Sequence, residues 1–540
     1  MLQILRDTPA GRFLRSCGYT IHLKHLEEQP DFRVPEFAIT VGPAPVSQDG
    51  ELIAPSSEKK LNISSAAHEK DDEEPIIVTW YSLTDGANPR NWSNSKKGWV
   101  MTVISLYTFV VYCTASIITP TVDVVMSTYN VSREVASLGL SIYVLGYAVG
   151  PMLFSPISEI PFVGRNPPYL YSFILFLVIS IVLAVVDNFP AIIVLRFLQG
   201  YFGSPALASG GASIEDIYDM YSAPFGYVWW IMAMYCGPAL GPLLAAYAIS
   251  DNWRWALWEV VLMSGIVLCL LLFLPETSPS NIILNRAKRL RAITGNSYLA
   301  PSELQPLHFG STLWQALIKP IEISIKDPAI LFTVLYCALV YGTYYSFFEA
   351  FPLVYLGVYK MSQGGMGLIF TSLVIGCLIG LAAYCLYLKY IFIPRARHYH
   401  KTKGKPVPQE QWLRPGLIGT WGVSAGLFLF AWTAKESIHW IAPTFGIGIW
   451  AATSFAMFQS IICYVALTYP RYVASLFAAN DLVRSSTAAA LVQSTGYLYI
   501  NLGINRGVSL VAGLSLMGVI GMLLLYYFGA QMRARSKFTG

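Results

Sequence analysis

Twelve long apolar stretches constrain this chain more than any other feature of its sequence. Each is close to the roughly 20 residues that a helix needs to cross about 30 Å of hydrocarbon. Because 55% of the 540 residues are hydrophobic and only 12% are charged, we predict an all-α polytopic membrane protein with 12 transmembrane helices. The predicted spans are 98–119, 135–157, 168–187, 190–212, 224–249, 256–274, 329–350, 366–390, 415–434, 440–465, 472–497 and 508–529.

The polar segments between these stretches divide the chain into five regions. The first is rich in charge, Pro and Ser and predicts a largely disordered cytoplasmic tail, with one amphipathic helix near 8–26. Six spans, a long polar central loop and six further spans indicate two pseudo-repeats. The predicted regions are the tail 1–95, the half 96–274, the central loop 275–328, the half 329–530 and the C-terminal tail 531–540.

Lys and Arg are concentrated in alternate loops, which predicts the orientation. The opposite set of loops holds only Arg133, Arg254, Lys360, Lys435 and Arg506. Since basic residues favour the cytoplasmic side, we expect both termini in the cytoplasm. Of the Asn-x-Ser sequons, this topology leaves Asn130 alone in an outer loop, as the expected glycosylation site.

Several classes of chemistry have no sequence signal here. The eight cysteines show neither a disulfide framework nor metal-ligand spacing, and there is no Walker sequence, zinc-protease motif or nucleophile elbow. We therefore expect no enzyme, no metal and no cofactor, with an ion gradient as the energy source. The basic residues lie in the gaps between spans, so the net charge of +5 reflects topology and does not predict nucleic-acid binding.

A short polar turn separates the second and third spans. It contains Ser158, Glu159, Gly164 and Arg165, which predicts a charge cluster at the cytoplasmic mouth. Glu215 and Asp216, at the cytoplasmic end of the fourth span, are the expected partners of Arg165. Gly146 and Gly150, four residues apart on span 2, predict a close approach of a neighbouring helix. The alternative is that Arg165 only obeys the positive-inside rule and that Glu159 is a solvated end charge.

Five further groups of residues within the spans are candidates for function. Arg196 in span 4 should face the bundle interior or snorkel to the outer headgroups. In span 5, Gly237 and Gly241 permit close packing, while Pro238 and Pro242 bend the helix. Glu349 is a candidate proton carrier or counter-charge, or an interfacial residue, whereas Asp481 and Arg484 are three residues apart and are expected to neutralise each other. The predicted cavity-lining residues are Tyr344, Tyr345, Phe348 and Glu349.

Several ordered motifs together resemble the major facilitator superfamily. These are Ser158-Glu159 with Gly164-Arg165, Arg196-Phe-Leu-Gln-Gly200 and Gly237-Pro-Ala-Leu-Gly-Pro242. Asn88-Pro-Arg-Asn-Trp92, Pro275-Glu-Thr-Ser278, Phe348-Glu-Ala-Phe-Pro352 and Tyr469-Pro-Arg-Tyr-Val-Ala-Ser475 are similar to motifs of its twelve-span fungal drug:proton antiporters, and the resemblance covers residues 88–530. The turn before Gly164 is two residues longer than usual, as in fungal azole and benomyl exporters, and Ala233 stands where an earlier glycine is usual.

The resemblance implies roles for these residues. Ser158, Glu159, Gly164 and Arg165, together with Glu215 and Asp216, would latch the outward-facing state. Arg196 would take part in proton coupling, and the Gly-Pro motif of span 5 would mark an antiporter.

The resemblance also implies an activity and partners. We expect a monomeric drug:proton antiporter of the plasma membrane that exports hydrophobic small molecules by alternating access, with protons and the lipid bilayer as its other partners. Two alternatives stay open, a proton-coupled importer or vacuolar transporter of polyamines or other metabolites, and a non-transporting membrane receptor.

Overall fold

The computed structural model describes most of the chain. The described residues are 6–19, 23–29, 32, 35, 39–41, 76–248, 252–304, 309–469 and 473–535.

Long apolar helices dominate the described residues. Ten of them are long and apolar enough to cross a membrane, and a shorter apolar helix, Trp255–Leu271, follows the fifth. The last long helix is two helices that meet at Gly503, where the backbone is non-helical (φ 77°, ψ 156°). The ten are Asn94–Tyr129, Arg133–Glu159, Asn166–Val185, Phe189–Ile217, Ala223–Ala248, Pro328–Val358, Gln363–Lys403, Gln409–Thr433, Ile441–Thr468 and Val473–Ala534.

Counted in chain order, with the short helix as span 6 and the last helix divided at Gly503, these helices give twelve spans. The predicted all-α, 12-helix fold is therefore confirmed. Spans 1 to 6 form the N-terminal half and spans 7 to 12 form the C-terminal half. We call the face that carries the turn 160–165 after span 2 the terminal face, and the other face the opposite face.

Glycines set the close packing of helices within each half. A Cβ atom on Gly146 of span 2 would overlap the carbonyl oxygen of Phe197 in span 4. In the C-terminal half, a Cβ on Gly380 of span 8 would lie 2.5 Å from the carbonyl oxygen of Ala452 in span 10. Because the backbones themselves are in contact, any larger side chain at these positions would separate the helices. The predicted close approach at Gly146 and Gly150 is present.

The segments outside the membrane form a small layer on the terminal face. Its helices are Pro9–Ser16, Pro279–Thr294 and Phe309–Lys326. Three short strands, Ile39–Val41, Ile76–Val78 and Tyr298–Leu299, form a sheet in which the middle strand pairs antiparallel with the first and parallel with the third. The helix predicted near 8–26 is shorter, because the chain turns at Gly18 (φ 93°). Residues 42–75 of the predicted disordered tail lie outside the described residues.

Candidate functional site

The turn after span 2 is held by a carboxylate from the start of the central loop. Gly164 has φ +78°, a left-handed conformation that suits glycine, and it lies directly against the Glu276 side chain. Glu276 accepts hydrogen bonds from the backbone N–H groups of Arg165 (2.9 Å) and Asn166 (3.1 Å). Asn166 begins span 3, so a negative charge stands at a helix N-terminus, where the helix dipole stabilises it.

The Arg165 side chain is buried beneath this turn and connects spans 2 and 4. Its Nη1 donates to Ser158 Oγ at 2.9 Å, and its Nε donates to Asp216 Oδ2 at 3.2 Å. The structure thus brings Asp216 to Arg165. It does not bring Glu215, whose carboxylate accepts a hydrogen bond from Tyr227 Oη at 2.6 Å. Glu215 points in a different direction from Asp216, because adjacent residues on a helix are separated by about 100° around its axis.

Glu159 is exposed on the terminal face and interacts across the boundary between the halves. Its partner, Ser475, is in the first turn of span 11, which begins at Val473. A carboxylate near a helix N-terminus is stabilised by the helix dipole. Ser155, four residues earlier on span 2, also donates to the carbonyl oxygen of Ala474 at 3.3 Å. The end of span 2 therefore joins the N-terminal half to span 11, directly before the turn 160–165, which we call the motif turn.

Arg196 is fully buried in the N-terminal half. Its guanidinium donates to the carbonyl oxygens of Gly139 (3.0 Å), Thr114 (3.1 Å) and Ala115 (3.3 Å), and to Gln199 Oε1 (3.0 Å). Within the described part of the chain it forms no salt bridge, so carbonyl dipoles and the ring of Tyr143, 4.8 Å from the guanidinium, compensate its charge. The side chain lies in the bundle interior and does not snorkel to the headgroups.

The Gly-Pro motif of span 5 packs on span 1. A Cβ on Gly237 would lie 2.8 Å from the carbonyl oxygen of Phe109, and one on Gly241 would lie 2.8 Å from that of Cys113. Pro238 and Pro242 are inside the helix Ala223–Ala248. The motif thus produces a close helix pair within the N-terminal half.

Asp481 and Arg484 form a buried ion pair that also reaches the other half. Arg484 donates a hydrogen bond to Asp481 Oδ1. It also donates to Tyr112 Oη in span 1 (3.1 Å) and to the sulfur of Met234 in span 5 (3.1 Å). The guanidinium lies 4.6 Å from the ring centre of Tyr341. The pair is local, as the spacing predicts, and it is also a contact between the two halves.

A cluster of tyrosine hydroxyls lies next to this ion pair. Tyr147 in span 2 donates to Tyr345 Oη at 2.8 Å and lies 2.9 Å from Tyr341 Oη, both in span 7. Tyr344 donates to the carbonyl oxygen of Tyr235 in span 5 at 2.6 Å and stacks on Tyr235 and Trp450. Tyr344 and Tyr345 are therefore packed into the contact between the halves. A small void of about 10 Å³ lies nearby, beside Arg484 and Met234.

Glu349 closes the opposite face. Its carboxylate is 3.5 Å from Arg133 Nη2 and accepts a hydrogen bond from Ser137 Oγ at 3.4 Å, both from span 2. Beyond it lies a cavity of about 330 Å³ that Glu349 and Phe348 line. Asn130 is exposed on this same face, at the end of the helix Val122–Tyr129.

The two halves therefore touch at three depths, and we call this boundary the seam. Ser155 and Glu159 make the contacts near the terminal face, and Gln459 Nε2 also donates there to the carbonyl oxygen of Pro224 at 2.9 Å. The tyrosine cluster and Arg484 lie in the middle. On the opposite face, Gln493 Nε2 donates to Ser141 Oγ at 2.8 Å, beside Glu349.

Sequence reasoning missed several members of the seam. In the sequence, Tyr147 and Tyr112 look like ordinary transmembrane aromatics. Only the packing of span 2 against span 7 and of span 1 against span 11 brings their hydroxyls to Tyr341 and Arg484. Glu276 could be singled out in the sequence as the acidic residue of the Pro-Glu-Thr-Ser motif. Its partner lies 111 residues away, so no local spacing could identify it.

Comparisons with known proteins agree with this architecture. The family model of the Major Facilitator Superfamily matches residues 104–492. The MFS-type transporter pyvG of Aspergillus violaceofuscus is 43% identical over 86% of this chain and 86% of its own. Fluconazole resistance protein 1 of Saccharomyces cerevisiae is 35% identical over 89% of this chain and 88% of its own.

Solved structures show the same fold. The proton:xylose symporter XylE, bound to a bromodeoxyglucose, superposes with a TM-score of 0.55 at 15% identity, covering 81% of this chain and 96% of its own. The fold, the order of the motifs and the relatives make this protein a multi-pass membrane transporter and not an enzyme. The chain belongs to the major facilitator superfamily.

Proposed function

We propose that this transporter is a proton-coupled exporter of hydrophobic small molecules, acting at the plasma membrane with both termini in the cytoplasm. The observation that carries the proposal is the seam, where aromatic rings and buried charges of the two halves meet between closed faces. The similarity to a relative named for fluconazole resistance supports azoles and other antifungals, or comparable toxins and secondary metabolites, as the substrate class. The distribution of Lys and Arg supports the orientation.

Alternating access follows from the separate contacts at the two faces. Opening toward the opposite face requires the loss of Glu349–Arg133 and Gln493–Ser141. Opening toward the terminal face requires the loss of Ser155–Ala474 and of the Glu159 interaction with span 11. Since the two sets are independent, the halves can rock about the tyrosine cluster and expose the seam to one side at a time.

Glu349 is the group that couples this motion to protons. Protonation removes the negative charge that attracts Arg133, which weakens the closure of the opposite face and favours opening toward the outside. Arg196 cannot release a proton at ordinary pH, so its part is to fix spans 1, 2 and 4 around the moving seam. One elementary charge moving across 100 mV supplies about 2.3 kcal/mol, so the proton gradient is a sufficient energy source without a cofactor.

The substrate contacts would come from the aromatic residues of the seam. Tyr344, Tyr345 and Phe348 of span 7 are in mutual ring contact. Separation of the halves would present these rings to a ligand. Flat lipophilic molecules pack well on aromatic faces with few directional requirements, which suits a loosely selective exporter.

A transport assay in a pump-deficient yeast tests this function. Cells that express the protein should accumulate less fluconazole, benomyl or dye than cells with an empty vector, and a protonophore should abolish the difference. Glu349→Gln should lose most of the export. Asp123→Asn is the matched control, since Asp123 lines the same cavity but forms no ion pair among the described residues.

Other results would assign another function. Higher accumulation driven by the proton gradient would identify an importer, and binding in proteoliposomes without flux would identify a receptor. Export that survives the protonophore would remove proton coupling while leaving efflux intact.

A further inference from the structure

A second cavity lies on the terminal face, away from the seam. It has a volume of about 910 Å³ and lies between the helix Pro279–Thr294 of the central loop and the N-terminal residues 6–19 and 23–29. This volume is within the range of about 300–1,000 Å³ that small-molecule sites occupy. Neither the transport path nor the motif turn needs such a space. We call it the basic cavity, because Lys and Arg outnumber the carboxylates in its lining.

Positive charge dominates the lining. Seven Lys and Arg side chains face the cavity, against three carboxylates. Two of these residues, Arg12 and Arg15, come from one face of the helix Pro9–Ser16, and Arg286, Lys288 and Arg289 come from the helix Pro279–Thr294. The remaining two are Arg6 and Lys24.

The three carboxylates already have partners. Asp7 pairs with Arg6 at 3.0 Å. Glu27 lies 3.1 Å from Arg286 and 3.5 Å from Arg289. The third, Glu276, is occupied by the backbone amides of the motif turn.

Three cations at the rim therefore stay without a counter-charge. Arg12, Lys24 and Lys288 are exposed and form no salt bridge with any carboxylate of the described residues. Arg15, by contrast, pairs with Glu28. The site has a charged, buried floor and a rim whose positive charge is not compensated.

The lowered pKa of His25 reflects the same excess of positive charge. Burial, followed by the charges of Arg289 and Arg6, lowers the pKa of His25 to about 3. The imidazole is neutral near pH 7, so its 3.9 Å approach to Asp7 is not an ion pair there. The nearby carboxylates, Asp7 and Glu27, do not offset the cations around it.

The cavity lies at the membrane boundary. The backbone N–H of Ala10 donates to the carbonyl oxygen of Leu272 at 3.0 Å, directly after span 6. Trp99 in span 1 donates to the next carbonyl, that of Phe273, at 3.1 Å. Phe13, on the helix Pro9–Ser16, is exposed. Basic residues on such a helix, next to span ends, are typical of sites for anionic headgroups.

We propose that the basic cavity binds a ligand with several phosphate groups, either a phosphoinositide headgroup in the cytoplasmic leaflet or a soluble inositol polyphosphate. Guanidinium groups hold phosphate oxygens with paired hydrogen bonds, and the rim cations Arg12, Lys24 and Lys288 supply the uncompensated charge. The site is separate from the seam. Its leaflet, but not its chemistry, depends on the orientation proposed above.

The test uses the full chain in phosphatidylcholine nanodiscs. Binding of short-chain phosphatidylinositol 4,5-bisphosphate and of inositol hexakisphosphate is measured for the wild type and for Arg12→Gln/Lys24→Gln/Lys288→Gln. The matched control is Arg397→Gln/Lys401→Gln/Lys403→Gln, which removes the same charge from an exposed helix, Ile393–Lys403, also on the terminal face. Each variant changes three exposed residues, so we expect both to fold like the wild type. Unchanged thermal unfolding of both variants checks this expectation.

We expect the cavity variant to lose affinity by about 100-fold, because each of three basic residues contributes roughly fivefold, and the control to keep wild-type affinity. Competition between the two probes would place both in one site, and binding of one alone would identify the source of the phosphate. Equal losses in the two variants would show only a diffuse surface attraction and would overturn the proposal. No binding of either probe to the wild type would do the same.

Discussion

Arg165 is the residue at which three segments of the terminal face meet. Its backbone N–H is held by Glu276 of the central loop, while its side chain reaches Ser158 of span 2 and Asp216 of span 4. If it were only a topology signal, it would extend into the headgroups. Its burial with a directed carboxylate partner instead supports a switchable contact.

Replacing this arginine tests the latch. Arg165→Ala leaves Asp216 buried without its cation, which should cost about 3 kcal/mol, and should abolish most export in correctly localised protein. The double variant Arg165→Ala/Asp216→Asn should recover part of the loss, because no buried charge is then left unpaired. Initial rates of substrate uptake into everted vesicles, which correspond to export from cells, give the measurement. Arg397→Ala, on an exposed helix, serves as the control. Unchanged export in Arg165→Ala would reduce the residue to a topology determinant.

Residue chemistry was only partly predictable from sequence. The position of Arg196 inside an apolar span predicted either burial or snorkelling to the headgroups, and the side chain is buried. Most of its partners are backbone carbonyls, which no spacing of side chains can reveal. The pairing of Arg165 with Asp216 could be predicted from the sequence. The hydrogen bond between Glu215 and Tyr227 could not, because it depends on how span 4 is rotated about its axis. Long-range contacts of this kind are fixed by packing and not by local pattern.

At the scale of elements, hydropathy predicted every span because the bilayer imposes one length on all of them. The predicted ends of the spans agree less well with the structure than the spans themselves do. Span 7 continues past its predicted end at 350 into a π-helical turn, Pro352–Val358, and span 8 continues to Lys403. These extensions are polar or irregular and lie beyond the apolar window that sequence reasoning detects. The helix junction at Gly503 likewise stands in a predicted loop, 498–507, that proved to be mostly helical.

Glycine contacts between elements give a prediction at this scale. Gly146→Ala would force its Cβ into the backbone of span 4 and should destabilise the protein by about 1–3 kcal/mol, as overpacking does. Gly265→Ala in span 6 is the matched control, since a Cβ there meets nothing within 4 Å. The control should keep or slightly raise stability, because alanine is the better helix former. Thermal unfolding of the purified proteins is compared, and equal midpoints in the two variants would contradict the close packing of spans 2 and 4.

At the scale of the whole molecule, the seam divides the transporter into two bodies that touch at both faces. Within each half, helices are fixed by backbone-to-backbone contacts at glycines. Across the seam, most of the polar contacts come from side chains, such as Glu349 with Arg133 and Tyr147 with Tyr345. Side-chain contacts separate more easily than interlocked backbones, so rigid-body motion between the halves is favoured over rearrangement within them.

Chemical cross-linking can lock each face separately. Cysteines at Ser141 and Gln493 would bridge the halves on the opposite face, and cysteines at Ser155 and Ala474 would bridge them on the terminal face. The native exposed thiols, Cys17 and Cys269, are first replaced by serine. A short bis-thiosulfonate reagent should stop export in both pairs, and a reductant should restore it. Ser213 and Thr277, whose hydroxyl oxygens are 3.3 Å apart between span 4 and the segment after span 6, provide the control pair. This pair should transport normally when linked, because neither residue forms a hydrogen bond with the C-terminal half among the described residues.

The two locks should differ in substrate access. With the opposite face locked, the halves can still part on the terminal face, so everted vesicles should keep binding substrate from that side. With the terminal face locked, the same binding should fall to background, because the Ser155 and Glu159 contacts with span 11 can no longer open. Binding that is identical under both locks would mean that substrate does not enter through the seam. Transport that continues under both would refute alternating access at these contacts.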